Sequence, residues 1–175
     1  TTTVTDSNGE CTIIVNSSAT GQSEVGASAS VPVGTATLDV STDGQAGNSG
    51  PATKTWVDAR ISIETDGTNK VGDPHTFTVT VEKDTGTGSF VAAAGVIVTA
   101  TESGAGAITD QSDCADGTDV NGQCLVVVDS SVTGVSTVHA TATVDVSGVN
   151  VDVDTNGYGA NIVENTKTWV DARIS

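Results

Sequence analysis

Apolar and polar residues alternate along much of this chain, which is the pattern of β-strands that bury one face. The alternation is clearest at 56–64, 75–81 and 138–146. In the last of these stretches the residues that share one face are Val138, Ala140, Ala142, Val144 and Val146. Residues 25–33 keep the same pattern, and Val96, Val98 and Ala100 begin another strand. We therefore predict half-buried strands in each of these segments.

Turn-forming pairs separate the predicted strands. They are Asp66-Gly67, Gly72-Asp73-Pro74, Thr85–Gly88, Asn121-Gly122 and Asn156-Gly157. No apolar stripe with helical spacing has a useful length. Roughly seven short strands in about 100 residues are typical of an immunoglobulin-like antiparallel β-sandwich with Greek-key connections. The period of the repeat described next also leaves room for an extra hairpin around 102–124.

An internal repeat is the strongest signal in the sequence. The nonapeptide KTWVDARIS occupies both Lys54–Ser62 and Lys167–Ser175, so equivalent positions differ by 113. Without a gap, 27 of the 52 residues in 11–62 are identical to their equivalents in 124–175. Two copies of one structural unit are therefore encoded in tandem.

The repeat predicts the domain organisation. Residues 1–57 correspond to the carboxyl-terminal half of one repeat, 58–170 to a complete repeat, and 171–175 to the first strand of the next. The chain is thus expected to be a section of a longer array. A half repeat by itself leaves strand edges unpaired and its apolar face open.

The amino-acid composition limits which residue types can fill the core and which classes of partner the protein can bind. Aromatic residues make up only 3% of the chain, so Val, Ala and Ile must fill the core. The net charge is -16, from 22 acidic and 6 basic side chains. Such a surface repels phosphate groups, which makes nucleic acids and anionic membranes unsuitable partners. No apolar run of about 18 residues is present to span a membrane, and any signal peptide is expected outside this sequence.

The sequence resembles the immunoglobulin-like repeats of large bacterial cell-surface proteins, such as the invasin/intimin-like repeats of adhesins. The segments that carry the resemblance are TKTWVD at 53–58, VGDPHTFTVTVEKDTGTG at 71–88, AAGVIVTA at 93–100 and DVNGQC at 119–124. The resemblance covers the whole period. It implies extracellular sandwiches stacked end to end in a stalk, most of them spacers, and it carries over no catalytic residues.

The cysteines suggest one covalent bond. Cys114 and Cys124 flank an Asn-Gly turn signal, so a short loop could bring them within bonding distance. Two free thiols and a metal-binding pair are the alternatives. In a surface-type chain the disulfide is expected. Cys11 is equivalent to Cys124, and Thr1 occupies the position equivalent to Cys114. Cys11 is therefore expected to be unpaired.

The repeat junction is the other candidate site. Trp56 and Trp169 are equivalent, and we expect each ring to pack between consecutive domains, although sugar stacking is an alternative. The residues assigned to the junction are Trp56, Asp58, Arg60, Trp169, Asp171 and Arg173. Lysines 54, 70, 83 and 167 leave a Lys–Asn isopeptide bond open.

Calcium is a weaker expectation. Acidic side chains in or beside turns near the domain ends are the candidate ligands, since hard cations take oxygen ligands from such loops. They are Asp66, Asp73, Asp152, Asp154 and Glu164. A solvated acidic surface is the alternative. No other cofactor is expected.

No constellation of catalytic residues occurs, so no enzyme activity is expected. His139 has Gly26 as its equivalent, which argues against a shared catalytic or metal role. The favoured interpretation is a structural repeat of an extracellular surface protein, whose partners are adjacent repeats and other copies of itself. The alternatives are a filament subunit completed by strand exchange and an adhesin domain. Tyr158 and Phe90 are the aromatic candidates for binding in that second case.

Overall fold

A computed structural model describes residues 4–64 and 66–174. The predicted segments 1–57 and 171–175 therefore each include residues outside the described part. The protein is nearly all β, with 52% of its residues in strands and 3% in a helix. This confirms the predicted all-β class.

Fourteen strands and one short helix follow one another along residues 4–64 and 66–174. In order they are β1 (Gly21–Val25), β2 (Ser28–Val33), β3 (Ala36–Ser41), β4 (Ala52–Trp56), β5 (Asp58–Ile63), β6 (Gly67–Lys70), β7 (His75–Asp84), β8 (Val91–Ala92), β9 (Val98–Gly104), β10 (Ala107–Asp110), α1 (Ser112–Asp116), β11 (Gln123–Asp129), β12 (Gly134–Val146), β13 (Val149–Asp154) and β14 (Asn165–Val170). No helix among the described residues is long and apolar enough to cross a membrane.

Two five-stranded sheets form a sandwich from strands β5 to β14. One sheet has the order β10-β11-β7-β5, with β8 also paired to β7. The other has the order β13-β12-β14-β6, with β9 also paired to β12. The long strand β12 pairs with two strands of the second sheet along the same edge. Its residues Gly134–Val138 pair with β14, and Thr141–Val146 pair with β13.

One pairing differs from the antiparallel expectation. Strand β6 runs parallel to β14, with Lys167 opposite Gly67 and Val170 opposite Lys70. Strand β6 belongs to a different sheet from β5, the strand before it. In its own sheet it lies beside β14 in the parallel sense.

The core lies between the two sheets and is built mainly from aliphatic side chains, as the composition predicts. The face of β12 predicted from alternation is buried: Val138, Ala140 and Val146 are fully covered. Phe77, Val79 and Val81 of β7 meet it from the opposite sheet and are also fully covered. Burying β-branched side chains on pleated surfaces is the main stabilising contribution in such a core.

The region around 102–124, where the period leaves room for an extra hairpin, contains β10 and the one-turn helix α1. Strand β10 pairs antiparallel with the next strand, β11, through a connection that includes α1. Strand β9 pairs with β12 in the other sheet, so the chain changes sheets between β9 and β10.

Residues before β5 form two two-stranded sheets that reproduce part of the sandwich. Strand β1 pairs with β4 so that Gly21 lies opposite Trp56, as Gly134 lies opposite Trp169. In the same way β2 pairs with β3 in the register of β12 and β13. Both copies therefore share the strand pairing that is internal to this half of the repeat.

Candidate functional site: the joint between the two copies

The disulfide is part of a tightly bonded turn. Oδ1 of Asp119 accepts hydrogen bonds from the backbone N–H of Asn121 (2.8 Å) and of Gln123 (2.9 Å). The Gln123 bond contributes most to holding the pKa of Asp119 below its usual value. Gly122 has a φ of 75°, and a Cβ there would lie 2.3 Å from the Val81 carbonyl oxygen. Only glycine lets the turn lie this close to β7.

Beside this turn the predicted disulfide between Cys114 and Cys124 is present. Helix α1 supplies Cys114, and the two Cα atoms are 4.9 Å apart. Both cysteines are buried, with 0% and 1% of their surface exposed. The bond therefore ties the α1 segment to the start of β11 inside the core.

The first copy forms the same turn with a free thiol. Oδ1 of Asp6 accepts hydrogen bonds from the N–H groups of Asn8 (2.8 Å) and Glu10 (2.9 Å), as Asp119 does in the second copy. Cys11 follows the turn and is exposed and unbonded, which confirms the expectation for it.

The tryptophan rings lie at equivalent places but in different surroundings. Trp169 is 1% exposed within the sandwich core, and its Nε1–H donates to Oγ of the buried Ser136 at 3.0 Å. Trp56 makes the same bond to Ser23 at 2.8 Å but is only partly buried. Trp169 is therefore covered within its own sandwich, on the face of β14 that meets the core. Its expected role between domains stays a prediction.

The contact between the copies is made instead by a loop after β7. Asp84 is 1% exposed, and its Oδ2 accepts a hydrogen bond of 2.7 Å from Oγ1 of Thr20 in the first copy. Its Oδ1 accepts from the backbone N–H groups of Gly86, Thr87 and Gly88 at 2.8–3.2 Å. The Thr20 hydroxyl is the largest cause that lowers the pKa of Asp84, followed among the lowering causes by these backbone N–H groups. The carboxylate both orders its own loop and holds the first copy.

Gly86 brings the loop into direct contact with the first copy. Its φ is 96°, and a Cβ there would lie 2.5 Å from Cγ2 of Thr55 and 3.2 Å from the Trp56 carbonyl oxygen. A side chain could be accommodated only by moving the two copies apart. Thr20, Gly21, Thr55 and Trp56 thus form the surface that receives the loop, which we call the joint surface.

Of the other residues assigned to the junction, Asp58 and Arg60 lie in β5, which follows Trp56, whereas Asp171 and Arg173 follow β14. Nε of Arg60 is 2.7 Å from Oε2 of Glu82, and its guanidinium lies 4.4 Å from the centre of the Phe90 ring. Asp58 and its equivalent Asp171 each accept a hydrogen bond from the next residue's N–H at 2.8 Å. Arg173 is exposed. Their inter-domain role stays a prediction.

The sequence reasoning missed Asp84, Gly86 and Thr20. The available signal was the segment DTGTG at 84–88, in which an acid precedes two glycines. It was interpreted only as a turn, because nothing local showed that the loop contacts residues 64 positions earlier.

One buried amine lies beside the parallel strands. Lys167 is 2% exposed, and its Nζ lies so close to β6 that a Cβ at Gly67 would be 2.6 Å from it. Burial lowers the pKa of Lys167, and the nearby carboxylate of Glu64 partly opposes this. Glu64 is itself bonded to Nε2 of His75 at 2.9 Å and to the Thr78 N–H at 3.1 Å. The expectation of an isopeptide bond stays untested.

Replacing Lys167 by methionine should stabilise the protein at pH 7, because burying the ammonium group is unfavourable and lowers the pKa of Lys167 in spite of the nearby Glu64 carboxylate. The folded pKa lies below the unfolded value, so the penalty is full below the folded pKa and is relieved as the pH rises toward 10.5. The gain in melting temperature should therefore shrink between pH 7 and pH 10.5. Lys54→Met is the matched control, since Lys54 is the exposed equivalent. An equal gain in both variants would contradict this.

The calcium candidates are not gathered into one site. Oδ1 of Asp66 accepts from the Thr166 N–H (2.8 Å), and Oδ1 of Asp152 accepts from the Thr143 hydroxyl (2.7 Å). Asp73 contributes its carbonyl oxygen to the Asn69 side chain. The described residues hold no group of three or more His, Cys, Asp or Glu side chains arranged for a metal ion. Calcium binding stays untested.

Asp154 and Glu164 are the two candidates that the fold brings together, and His139 lies between them. Nε2 of His139 is 3.0 Å from Oδ1 of Asp154, without the alignment of a hydrogen bond. Nδ1 lies 3.5 Å from Oε2 of Glu164. The first copy has Gly26, Ser41 and Pro51 at these positions, so the cluster belongs to the second copy alone.

Aromatic side chains do not form an exposed cluster in the part of the chain that the structure describes. Tyr158 is 77% exposed, but Phe77 and Trp169 are in the core, and Phe90 lies under Arg60. Above the outer face of β12 and β13 there is an open groove lined by threonine and aspartate side chains.

No protein-family model matches the chain, and no curated protein matches it. Among solved structures, it is similar to the crystal structure of domains 4 and 5 of the S-layer protein SbsC. The two chains share 17% identity with a TM-score of 0.38, and the match covers 73% of this chain and 65% of that one. The match thus spans less than two thirds of that chain. A similarity at this level does not by itself define a function.

Proposed function

We propose that this chain is a structural repeat module of a long extracellular surface protein or fibre, in which fixed joints hold successive β-sandwiches at a set angle. The observation that carries the proposal is the joint itself. A buried carboxylate, a glycine without room for a side chain and a threonine hydroxyl make a specific contact between consecutive copies.

The joint surface occurs again at the far end of the second copy. Its four residues, Thr20, Gly21, Thr55 and Trp56, are identical to Thr133, Gly134, Thr168 and Trp169. Gly134 and Trp169 are paired as Gly21 and Trp56 are. In a further repeat, the loop equivalent to the one at Asp84 could therefore contact the same joint surface at this end. Repetition of one joint supplies length in repeat proteins.

The location and chemistry are proposed on separate grounds. A disulfide in a small β domain suits an oxidising, extracellular environment. The charge of -16 favours solubility of a long polymer. The protein is proposed to be neither an enzyme nor a nucleic-acid-binding or membrane-inserted protein in this segment.

The two alternatives have less support. An adhesin site needs an exposed aromatic or apolar patch, and Tyr158 is isolated in its loop. Strand exchange needs a free strand to donate, and Asp171–Ile174 is its candidate because Ile174 is 102% exposed whereas its equivalent Ile61 is fully buried. That strand would replace only β5 and would leave the edges contacted by β6, β7 and β9 open.

Replacing Asp84 by alanine should release the joint, because the loop loses its backbone acceptor and the first copy loses its hydrogen bond. Residual dipolar couplings of β1 and β4 and of the sandwich should fit one alignment tensor in the unchanged chain and require two in the variant. Thr20→Val, which removes only the hydrogen bond between the copies, should give an intermediate result. Asp116→Ala, a substitution of an exposed acid, is the control. Two tensors in the unchanged chain would refute a fixed joint, and one common tensor in Asp84→Ala would show that Asp84 does not hold it.

A further inference from the structure

The two copies of the carboxyl-terminal half of the repeat, 6–57 and 119–170, differ mainly in what covers them. Equivalent valines are exposed in the first copy and buried in the second. The exposed fractions are 42% for Val31 against 1% for Val144, 54% for Val33 against 0% for Val146, and 40% for Val40 against 3% for Val153. The same apolar face is therefore exposed in the first copy and forms part of the core in the second.

The cover of the second copy comes entirely from residues 58–118. Strand β7 pairs with β11, β9 pairs with β12, and β6 pairs with β14. Cys114 of the same segment is bonded to Cys124. Strand β10 pairs with the other edge of β11. The amino-terminal half of the repeat thus closes four strand edges, contributes to the core and forms one covalent bond.

The first copy keeps the features that receive this half. Seven apolar core positions are identical in the two copies: Val15, Val25, Ala27, Ala29, Val31, Val33 and Val40. An open groove of about 800 Å³ is lined in part by Val15, Ala27, Ala29 and Val40, and Cys11 lies at its wall. Cys11 also follows the same Asp-x-Asn-Gly turn as Cys124.

We propose that this face is a binding surface for the amino-terminal half of a repeat, a segment with the sequence pattern of 58–118, and that Cys11 forms a disulfide with the cysteine of that segment equivalent to Cys114. The proposal does not depend on the cellular location of the protein. It specifies an interaction surface and its partner, which the role of a spacer does not. Added strands would satisfy the open backbone edges while specific side chains fill the groove.

A second intact copy of this chain is not the partner. Its own residues 58–118 are already held by β11, β12 and β14 and by the disulfide. It therefore has no free amino-terminal half to offer. The partner must be an additional segment of this type.

The covalent step requires an oxidant, for which we name glutathione disulfide. The Cys11 thiolate attacks one of its sulfur atoms and releases one glutathione thiolate. The thiolate of the incoming cysteine then attacks the Cys11 sulfur of the mixed disulfide and releases the second. Two protein thiols lose two electrons and two protons, and one glutathione disulfide becomes two glutathione molecules.

The test adds a second amino-terminal half to the full chain. Residues 58–118 are placed directly before Asp6, because residue 118 precedes Asp119 in the same way, and the protein is oxidised in a glutathione buffer. The thiol of Cys11, which is free in the unextended chain, should no longer react with a thiol reagent. Peptide mapping should link Cys11 to the added copy of Cys114. Amide exchange at 25–42 should slow by roughly a thousandfold or more, as expected when a fluctuating segment joins a stable domain.

A matched variant carries Phe77→Asp and Val79→Asp in the added half only. It should leave both thiols free and exchange unchanged, because a charged β7 cannot enter the core. The original sandwich in the same chain reports whether each protein has folded. The proposal is overturned if Cys11 stays free in the extended chain, if the charged variant forms the bond equally well, or if 1–175 alone is a dimer with 25–42 already protected.

Discussion

Trp169→Ala should lower the free energy of unfolding of the sandwich by about 3–5 kcal/mol, the usual cost of truncating a large buried aromatic side chain. The ring is 1% exposed, and its loss also leaves the buried hydroxyl of Ser136 without its donor. Urea denaturation followed by far-UV circular dichroism measures the change directly.

The repeat provides the control for this prediction. Trp56→Ala removes the same side chain and the same kind of hydrogen bond at the equivalent position. Because Trp56 is only partly buried and has no second sheet over it, the loss should stay under about 1 kcal/mol, the range of substitutions away from a packed core. Equal losses in the two variants would show that the ring of Trp169 does not support the core.

Replacing both Cys114 and Cys124 by alanine should lower the free energy of unfolding by about 2–3 kcal/mol. The bond closes a loop with a sequence separation of 10, and the entropy that a loop of this size removes from the unfolded chain gives that magnitude. The sandwich should still fold, since the aliphatic core is unchanged. The same urea denaturation checks the value.

Cys11→Ala is the matched control for the disulfide, because Cys11 is exposed and unbonded. It should leave the unfolding midpoint unchanged. A double variant as stable as the unchanged chain would mean that the α1 segment is held in place by packing alone.

Much of the fold could be predicted because it depends on short-range patterns. The alternation along β7 and β12 specifies which side chains face inward, and the structure buries those of Phe77, Val79 and Val138. The Asn-Gly signal between the cysteines predicted the turn beside the disulfide. The repeat predicted equivalent structure in the two copies, and their hydrogen bonds at Asp6 and Asp119 agree within about 0.1 Å.

Long-range contacts could not be obtained in the same way. The parallel pairing of β6 with β14 joins residues 100 positions apart, and the contact of Thr20 with Asp84 joins residues 64 positions apart. Nothing in the local sequence of either partner specifies the other. In the same way, the local sequence around 102–124 does not show that β9 joins β12 in one sheet while β10 joins β11 in the other.

By itself the sequence determined the β class, the inward faces, the bonded cysteines and the existence of two equivalent copies. Each of these depends on neighbouring residues or on identity at a fixed offset. Only the tertiary structure decided that Trp169 is a core residue, that Lys167 is buried and that the loop at Asp84 is the joint. The burial and contacts of a residue depend on which distant strands pack against it. The local sequence around that residue does not specify those strands.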